Sequence, residues 1–300
     1  MTTTMAPAGT ATAPPKKKGG KLIRVAAVIA ISVGIVYLVD AIVGFGPKTF
    51  HAPTVDELFE FKPIFTVAGL EVTFPTIVMF VMTFLLIFFF VRAFSKPTLV
   101  PKGSQNVAEA GVDFIREQIA LATIGPEGHA WVPFLTAIFF WVLANNFMSI
   151  FPFVQFPVTS RMAYPVTLAI TSWFIFNFVG IRKQGFFGYF KGIMFPPGVP
   201  IGINYLLAFI ELFSTVIVRP ITLSVRLFAN MVAGHMILGV LFVASSVFIA
   251  GGFLGRVGFI APFGLSIALM GLELFVIAMQ AFIFTILTAV YIGGALHPEH

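Results

Sequence analysis

The chain has 300 residues, of which 58% are apolar even before its 27 glycines are counted, and only 10% are charged. A soluble domain carries about 25% charged residues, so this chain has too few polar groups to coat a water-soluble globule, and a mean hydropathy of +1.00 points to a polytopic membrane protein. The absence of cysteine excludes a disulfide framework, a thiolate nucleophile and cysteine-ligated metal sites. A net charge of +6 would suggest nucleic acid in a soluble protein, so the placement of the basic residues decides its meaning.

Residues 1–21, rich in Thr, Ala and Pro and ending in Lys16, Lys17, Lys18 and Lys21, read as a disordered basic tail. Residues 22–45 are apolar for long enough to form a first membrane helix. A cleaved signal peptide is the competing reading, disfavoured by the length of the run and by the lack of a small-x-small site after it. Residues 46–71 form a mildly acidic segment on the outer side, and a second span runs from Val72 to Phe94. Residues 106–124 mix apolar positions with Glu109, Asp113, Arg116 and Glu117, the pattern of an amphipathic helix lying on the membrane surface.

Trp131–Phe153 and Tyr164–Ile181 are two further spans, joined by a proline-rich turn into a helical hairpin. After an irregular basic loop come two long helices, Tyr205 to about Ala250 and Phe259 to about Ala295. The last would reach about 55 Å at about 1.5 Å per residue, against a hydrocarbon core of about 30 Å, so it must tilt or bend. The expected fold is therefore all-α, with about six membrane helices and one surface amphipathic helix.

With both termini cytoplasmic, twelve basic residues fall inside and four outside, while Arg219 and Arg226 belong to the fifth helix itself. Topology thus accounts for the basic excess, and nucleic-acid binding has no place in the reading. Ionisable groups within a span are costly and mark ion paths. The fifth helix carries Glu211, Arg219, Thr222, Arg226, Asn230 and His235; the sixth carries Glu273, Gln280 and Tyr291. At about 100° per residue, Arg219, Thr222, Arg226 and Asn230 share one side of the fifth helix and His235 points nearly opposite Arg226. Glu273, Gln280 and Tyr291 form one stripe on the sixth, which antiparallel packing can set against the fifth. A guanidinium cannot shed its charge to escape desolvation, which makes Arg226 the strongest candidate. A membrane histidine with a membrane glutamate on the next helix makes a plausible proton relay.

The stretch VRPITLSVRLFANMVAGH (Val218–His235), followed by LELFVIAMQAFIFTILTAVYI (Leu272–Ile292), closely resembles subunit a of the F-type ATP synthase, and WVLANNFMSIFP (Trp141–Pro152) also fits that family. The resemblance runs from about Val72 to the C-terminus, residues 72–300. It implies a non-catalytic stator subunit of a bacterial plasma membrane, with two offset half-channels that couple proton flow to rotation of a ring of c subunits, and with b-type peripheral stalk subunits as further partners. It maps the family's essential arginine onto Arg226, the neighbouring asparagine onto Asn230 and the sixth-helix glutamine onto Gln280, and it implies that Asn230 and Gln280 hydrogen-bond Arg226. His235 and Glu273 take the family's paired histidine and acid positions, turned away from Arg226 on the outer half-channel. Asn146 fits the hairpin asparagine, and Tyr291 joins the proton pathway. Ser149 stands where some members carry aspartate, and nothing in the resemblance assigns work to the helix at 22–45. No cofactor or metal is implied.

Two other classes compete. A secondary transporter with a mid-membrane substrate site would show internal repeats, and no repeat relates the two halves. An intramembrane hydrolase would need a carboxylate pair or a Ser-His constellation, and neither is present.

Overall fold

A computed structural model describes residues 63–67, 70–151, 154, 156–195, 201–250 and 258–297. The expected tail at 1–21, the helix at 22–45 and most of the segment 46–71 lie outside the described residues. The chain enters through a short antiparallel hairpin, β1 (Phe65–Val67) and β2 (Leu70–Val72), paired with Phe65 opposite Val72. Helix α1 (Phe74–Phe94) then begins, with Pro75 in its first turn where a missing N–H costs nothing. Val72, expected to open this span, is instead the last residue of β2, because the proline and the extended Thr73 set the helix start one residue after that.

The amphipathic stretch forms α2 (Ser104–Phe114), a π-helical segment (Ile115–Leu121) and α3 (Ala122–Ile124), stopped by Gly125 at φ 80°. Ile115, Ile119, Ala120 and Ile124 are buried in a cluster with Leu135, Phe176, Ala289 and Ile292, while Asp113 and Glu117 stay exposed, as do Val107 and Phe114. After a 3₁₀ turn (Pro126–Trp131) come α4 (Val132–Phe147) and α5 (Ala163–Gln184), the predicted hairpin. Here α4 stops at Phe147, short of the expected Phe153, and the chain turns through Met148–Ile150 ahead of Pro152. Gly185, at φ 75°, ends α5 and starts the short α6 (Phe186–Met194).

The predicted fifth helix is α7 (Ile201–Phe213), a π-helical segment (Ser214–Val218) and α8 (Arg219–Ala250); the sixth is α9 (Ile260–Leu296). Five helical stretches among the described residues are long and apolar enough to cross a membrane, including one of 46 residues (Asn204–Ile249) and one of 37 (Ile260–Leu296). At about 1.5 Å per residue, the first of these measures about 69 Å, which a core of about 30 Å accommodates only by strong tilt or bending. The fold is an all-α polytopic membrane protein.

Helix α9 is the hub, packing against α4, α5 and α8. Its buried residues include Ile277, Ala281, Phe284, Ala289 and Ile292, and small or branched side chains here let backbones approach closely. Among the described glycines of α9 the tightest is Gly293, where an added Cβ would lie 2.8 Å from the Thr123 carbonyl oxygen. Gly293→Ala should therefore push α9 off α3 and cost about 1–3 kcal/mol. A lower melting temperature of the purified assembly is the expected reading.

The ends of the bundle differ in charge. Arg92, Arg182, Lys183 and Lys191 lie in the last turns of α1, α5 and α6 at one end, where Lys183 pairs with Glu127 and Gln184 donates to the Ala295 carbonyl. At the opposite end Arg161 donates to Thr73, beside the Thr76–Tyr164 hydroxyl pair.

Candidate functional site

Helices α8 and α9 run antiparallel and meet in three polar contacts that climb the interface in step. Near the start of α9, His235 Nδ1 lies 3.4 Å from Glu273 Oε1. Further along, Asn230 Nδ2 donates to Gln280 Oε1 at 2.8 Å. At the basic end the Arg219 guanidinium stands 5.0 Å from the centre of the Tyr291 ring, which also packs on Phe176. Eleven residues separate Arg219 from Asn230, and eleven separate Gln280 from Tyr291, so a regular helix on each side keeps the register.

The buried face of α8, Leu223, Leu227, Met231 and Leu238, explains how one helix serves both edges of this interface. Asn230 flanks that apolar stripe on one side and His235 on the other, about 140° away. Glu273 and Gln280 face them from a single line on α9 and are buried, at 7% and 2% exposure. Glu273 Oε2 has no hydrogen-bond partner among the described residues, which leaves one buried oxygen unsatisfied. A cavity of about 180 Å³ opens beside this pair, reaching Asn230, Gly234, Leu269 and Glu273.

Arg226 is placed differently. It stands at the middle of the Asn204–Ile249 span, exposed, on the edge of α8 that carries Thr222, Ala229 and Ala233. No hydrogen bond or ion pair from Arg226 occurs among the described residues. The expectation that Asn230 and Gln280 hold Arg226 is thus corrected: the two amides bond each other, because Gln280 is buried between the helices while Arg226 points out of the bundle. Thr222 is likewise turned to its own backbone, donating to the carbonyls of Val218 and Arg219. Asn146 is fully buried and accepts a hydrogen bond from Thr159 rather than reaching His235 or Glu273. Ser149 sits next to it with its hydroxyl buried and unpartnered.

A second, larger polar cavity, about 580 Å³, lies at the basic end among Glu211, Arg219, Tyr291, Tyr189, Gln184 and His297. Glu211 Oε2 is 4.0 Å from the Arg219 guanidinium. Residues eight apart on a regular α-helix are about 80° out of line, and the π-helical turn at Ser214–Val218 takes up that difference. Helical periodicity alone could not signal this pairing, nor the part played by Tyr189 from the loop helix α6. Tyr189 is 4% exposed and donates to Asn177 Oδ1. Burial pushes its phenol above the usual range, and the Arg219 charge only partly opposes that, so it stays a donor. The two cavities are offset along α8 and α9, with Arg226 between their levels.

Comparison with known proteins decides the family. The family described as ATP synthase A chain matches residues 76–293. This chain belongs to the ATP synthase subunit a family. It is 42% identical over 256 residues to ATP synthase subunit a of Rhodococcus erythropolis, covering 83% of this chain and 92% of that protein. The subunit a of a Parafrankia species is 44% identical over 260 residues, covering 82% and 84%. That of Gluconacetobacter diazotrophicus is 38% identical over 250 residues, covering 81% and 97%. The family match begins two residues into α1 and closes three residues before the end of α9, so it contains nearly all of the paired helices and every site residue named above except His297.

Proposed function

We propose that this chain is the non-catalytic proton-conducting stator subunit of a bacterial ATP synthase membrane sector, working against a ring of c subunits and held by b-type peripheral stalk subunits. One observation carries the proposal: a guanidinium in mid-membrane, unpaired among the described residues, lies on an outward face between two cavities offset along the same helix pair, one reaching Asn230 and Glu273 and the other Glu211, Arg219 and Tyr291. A charge at that depth costs about 2.5–3.5 kcal/mol unless it is answered. Nothing among the described residues answers it, which fits a counter-charge brought by a partner. A ring whose subunits each bear one membrane carboxyl supplies that charge in turn.

In this mechanism a proton enters the outer cavity and passes between His235 and Glu273, whose contact lets one group give while the other takes. It neutralises a ring carboxylate, which then moves into lipid. Arriving at Arg226 from the other side, a protonated carboxyl releases its proton to the basic-end cavity, where Glu211 is the available acceptor beside Arg219 and Tyr291. The fixed charge of Arg226 stabilises the ionised carboxylate as it passes and repels a proton crossing directly between the cavities. Asn230 and Gln280, bonded to each other, fix the spacing of α8 and α9 behind Arg226. The driving energy is about 2.3 kcal/mol per charge per 100 mV, plus the proton gradient.

The transporter reading lacks support in the same geometry, because each polar cavity sits to one side of the mid-span level and none encloses a central substrate site. Co-purification tests the choice directly: the intact chain should bring down a small ring-forming membrane protein, and a lone substrate-binding monomer would overturn the proposal.

Orientation follows from the charged ends. The end carrying Arg182, Lys183 and Lys191 faces the cytoplasm in this reading. Ser104 is exposed at that end and Met162 is 37% exposed at the other, whereas nearby Ser160 is buried and a poor target. In this cysteine-free chain, Ser104→Cys should label from the cytoplasmic side and Met162→Cys from the outside. Labelling of both from one side would overturn the assignment.

A further inference from the structure

The hairpin formed by α4 and α5 has a groove that the proton pathway does not use. It lies at the basic end, with a volume of about 440 Å³, and Arg226 is not among its lining residues. Trp131, Phe134, Ile175, Phe178, Val179 and Leu296 form its walls. Phe178 is 62% exposed there, and Trp131 stacks edge-on against Phe134, which makes one rigid aromatic side. In a soluble protein such a groove would be a liability; in a membrane it faces acyl chains.

Charge distinguishes this groove from an ordinary lipid-facing crevice. Arg182 and Lys183, in the last turn of α5, stand at its mouth. Lys183 is already engaged, 2.9 and 3.0 Å from the two oxygens of Glu127. Arg182 is exposed and has no hydrogen bond or ion pair among the described residues. A free guanidinium at the polar end of an apolar slot, beside an interfacial tryptophan, matches a phosphate above and an acyl chain below. Basic pockets between membrane helices at the cytoplasmic side have this selectivity for anionic headgroups. The apolar groove between α1 and α4 has no cation among its lining residues and so lacks the same discrimination.

We propose that the groove between α4 and α5 is a binding site for an anionic phospholipid, one acyl chain lying along Phe178 and Ile175 and the headgroup phosphate held by Arg182. The Lys183–Glu127 pair ties α5 to the turn before α4 and so holds the mouth open at a fixed width. This site rests on the membrane reading of the chain and is independent of the proton pathway.

The test uses the intact membrane complex in phosphatidylcholine vesicles containing a small fraction of phosphatidylglycerol with a photoactivatable acyl chain. After illumination, peptides are read for label. Label should concentrate on residues 131–134 and 175–179, and an equivalent photoactivatable phosphatidylcholine should mark them far less. Arg182→Gln should lose roughly five-fold of the phosphatidylglycerol label, the effect of one cation near an anionic headgroup, and Arg182→Lys should retain most of it. Ile175→Trp, which fills the slot while leaving Arg182 in place, should also lose the label. Equal labelling by both lipids, full labelling of Arg182→Gln, or cross-linking of the groove to another subunit in place of lipid would each overturn the proposal. Label is measured without proton pumping, so failure of the stator mechanism would leave this result intact.

Discussion

Arg226→Ala is expected to abolish proton pumping driven by ATP hydrolysis while the assembled complex persists. Arg226 is exposed and unpaired among the described residues, so removing it opens no cavity and orphans no partner there, and the helix around it stays packed through Leu223, Leu227 and Met231. What disappears is the charge that lets a ring carboxylate pass ionised. At about 2.5–3.5 kcal/mol for a charge at the centre of a span, the loss is roughly 100-fold or more in rate. Arg226→Lys should fail as well, because a compact ammonium lacks the planar fork and loses its proton when desolvated. Pumping at the normal rate by an assembled Arg226→Ala complex would remove the mechanism. Normal ATP synthesis by Arg226→Lys would show that any positive charge suffices.

His235→Ala and Glu273→Ala should each slow proton uptake by roughly ten-fold, and the double variant should be little worse than either single, because residues that share one network are not additive. The basis is geometric: the two side chains are 3.4 Å apart, Glu273 is buried, and its second oxygen has no partner among the described residues. Losing either leaves the other in a poorly solvated site with its relay broken. Exchanging them, as His235→Glu with Glu273→His, keeps one acid and one imidazole across the same interface. It should recover more activity than His235→Glu alone, which sets two carboxyl groups in contact with no imidazole between them. Pumping in membrane vesicles at matched assembly reads the result. An exchange no better than the worse single would mean that the two act separately.

The membrane class, the span positions from α1 onward and the identity of the polar residues on the last two helices were legible in the chain itself, for a physical reason. Lipid admits long apolar helices and penalises buried charge, so both features stand out in composition and spacing. Helical periodicity also put His235 and Arg226 on different sides of one helix and Glu273, Gln280 and Tyr291 on one line. Periodicity gives directions around an axis, however, and not the register between two axes. Only packing decided that Asn230 meets Gln280 instead of Arg226, that Asn146 Oδ1 accepts from Thr159, and that Tyr291 lies under Arg219. The pairing of Glu211 with Arg219 was hidden for a further reason: the π-helical turn between them departs from the 100° step on which such projections depend. The α8–α9 register is fixed by buried Leu223 and Leu227 packing with Ala281 and Phe284, a many-body fit that no local pattern encodes.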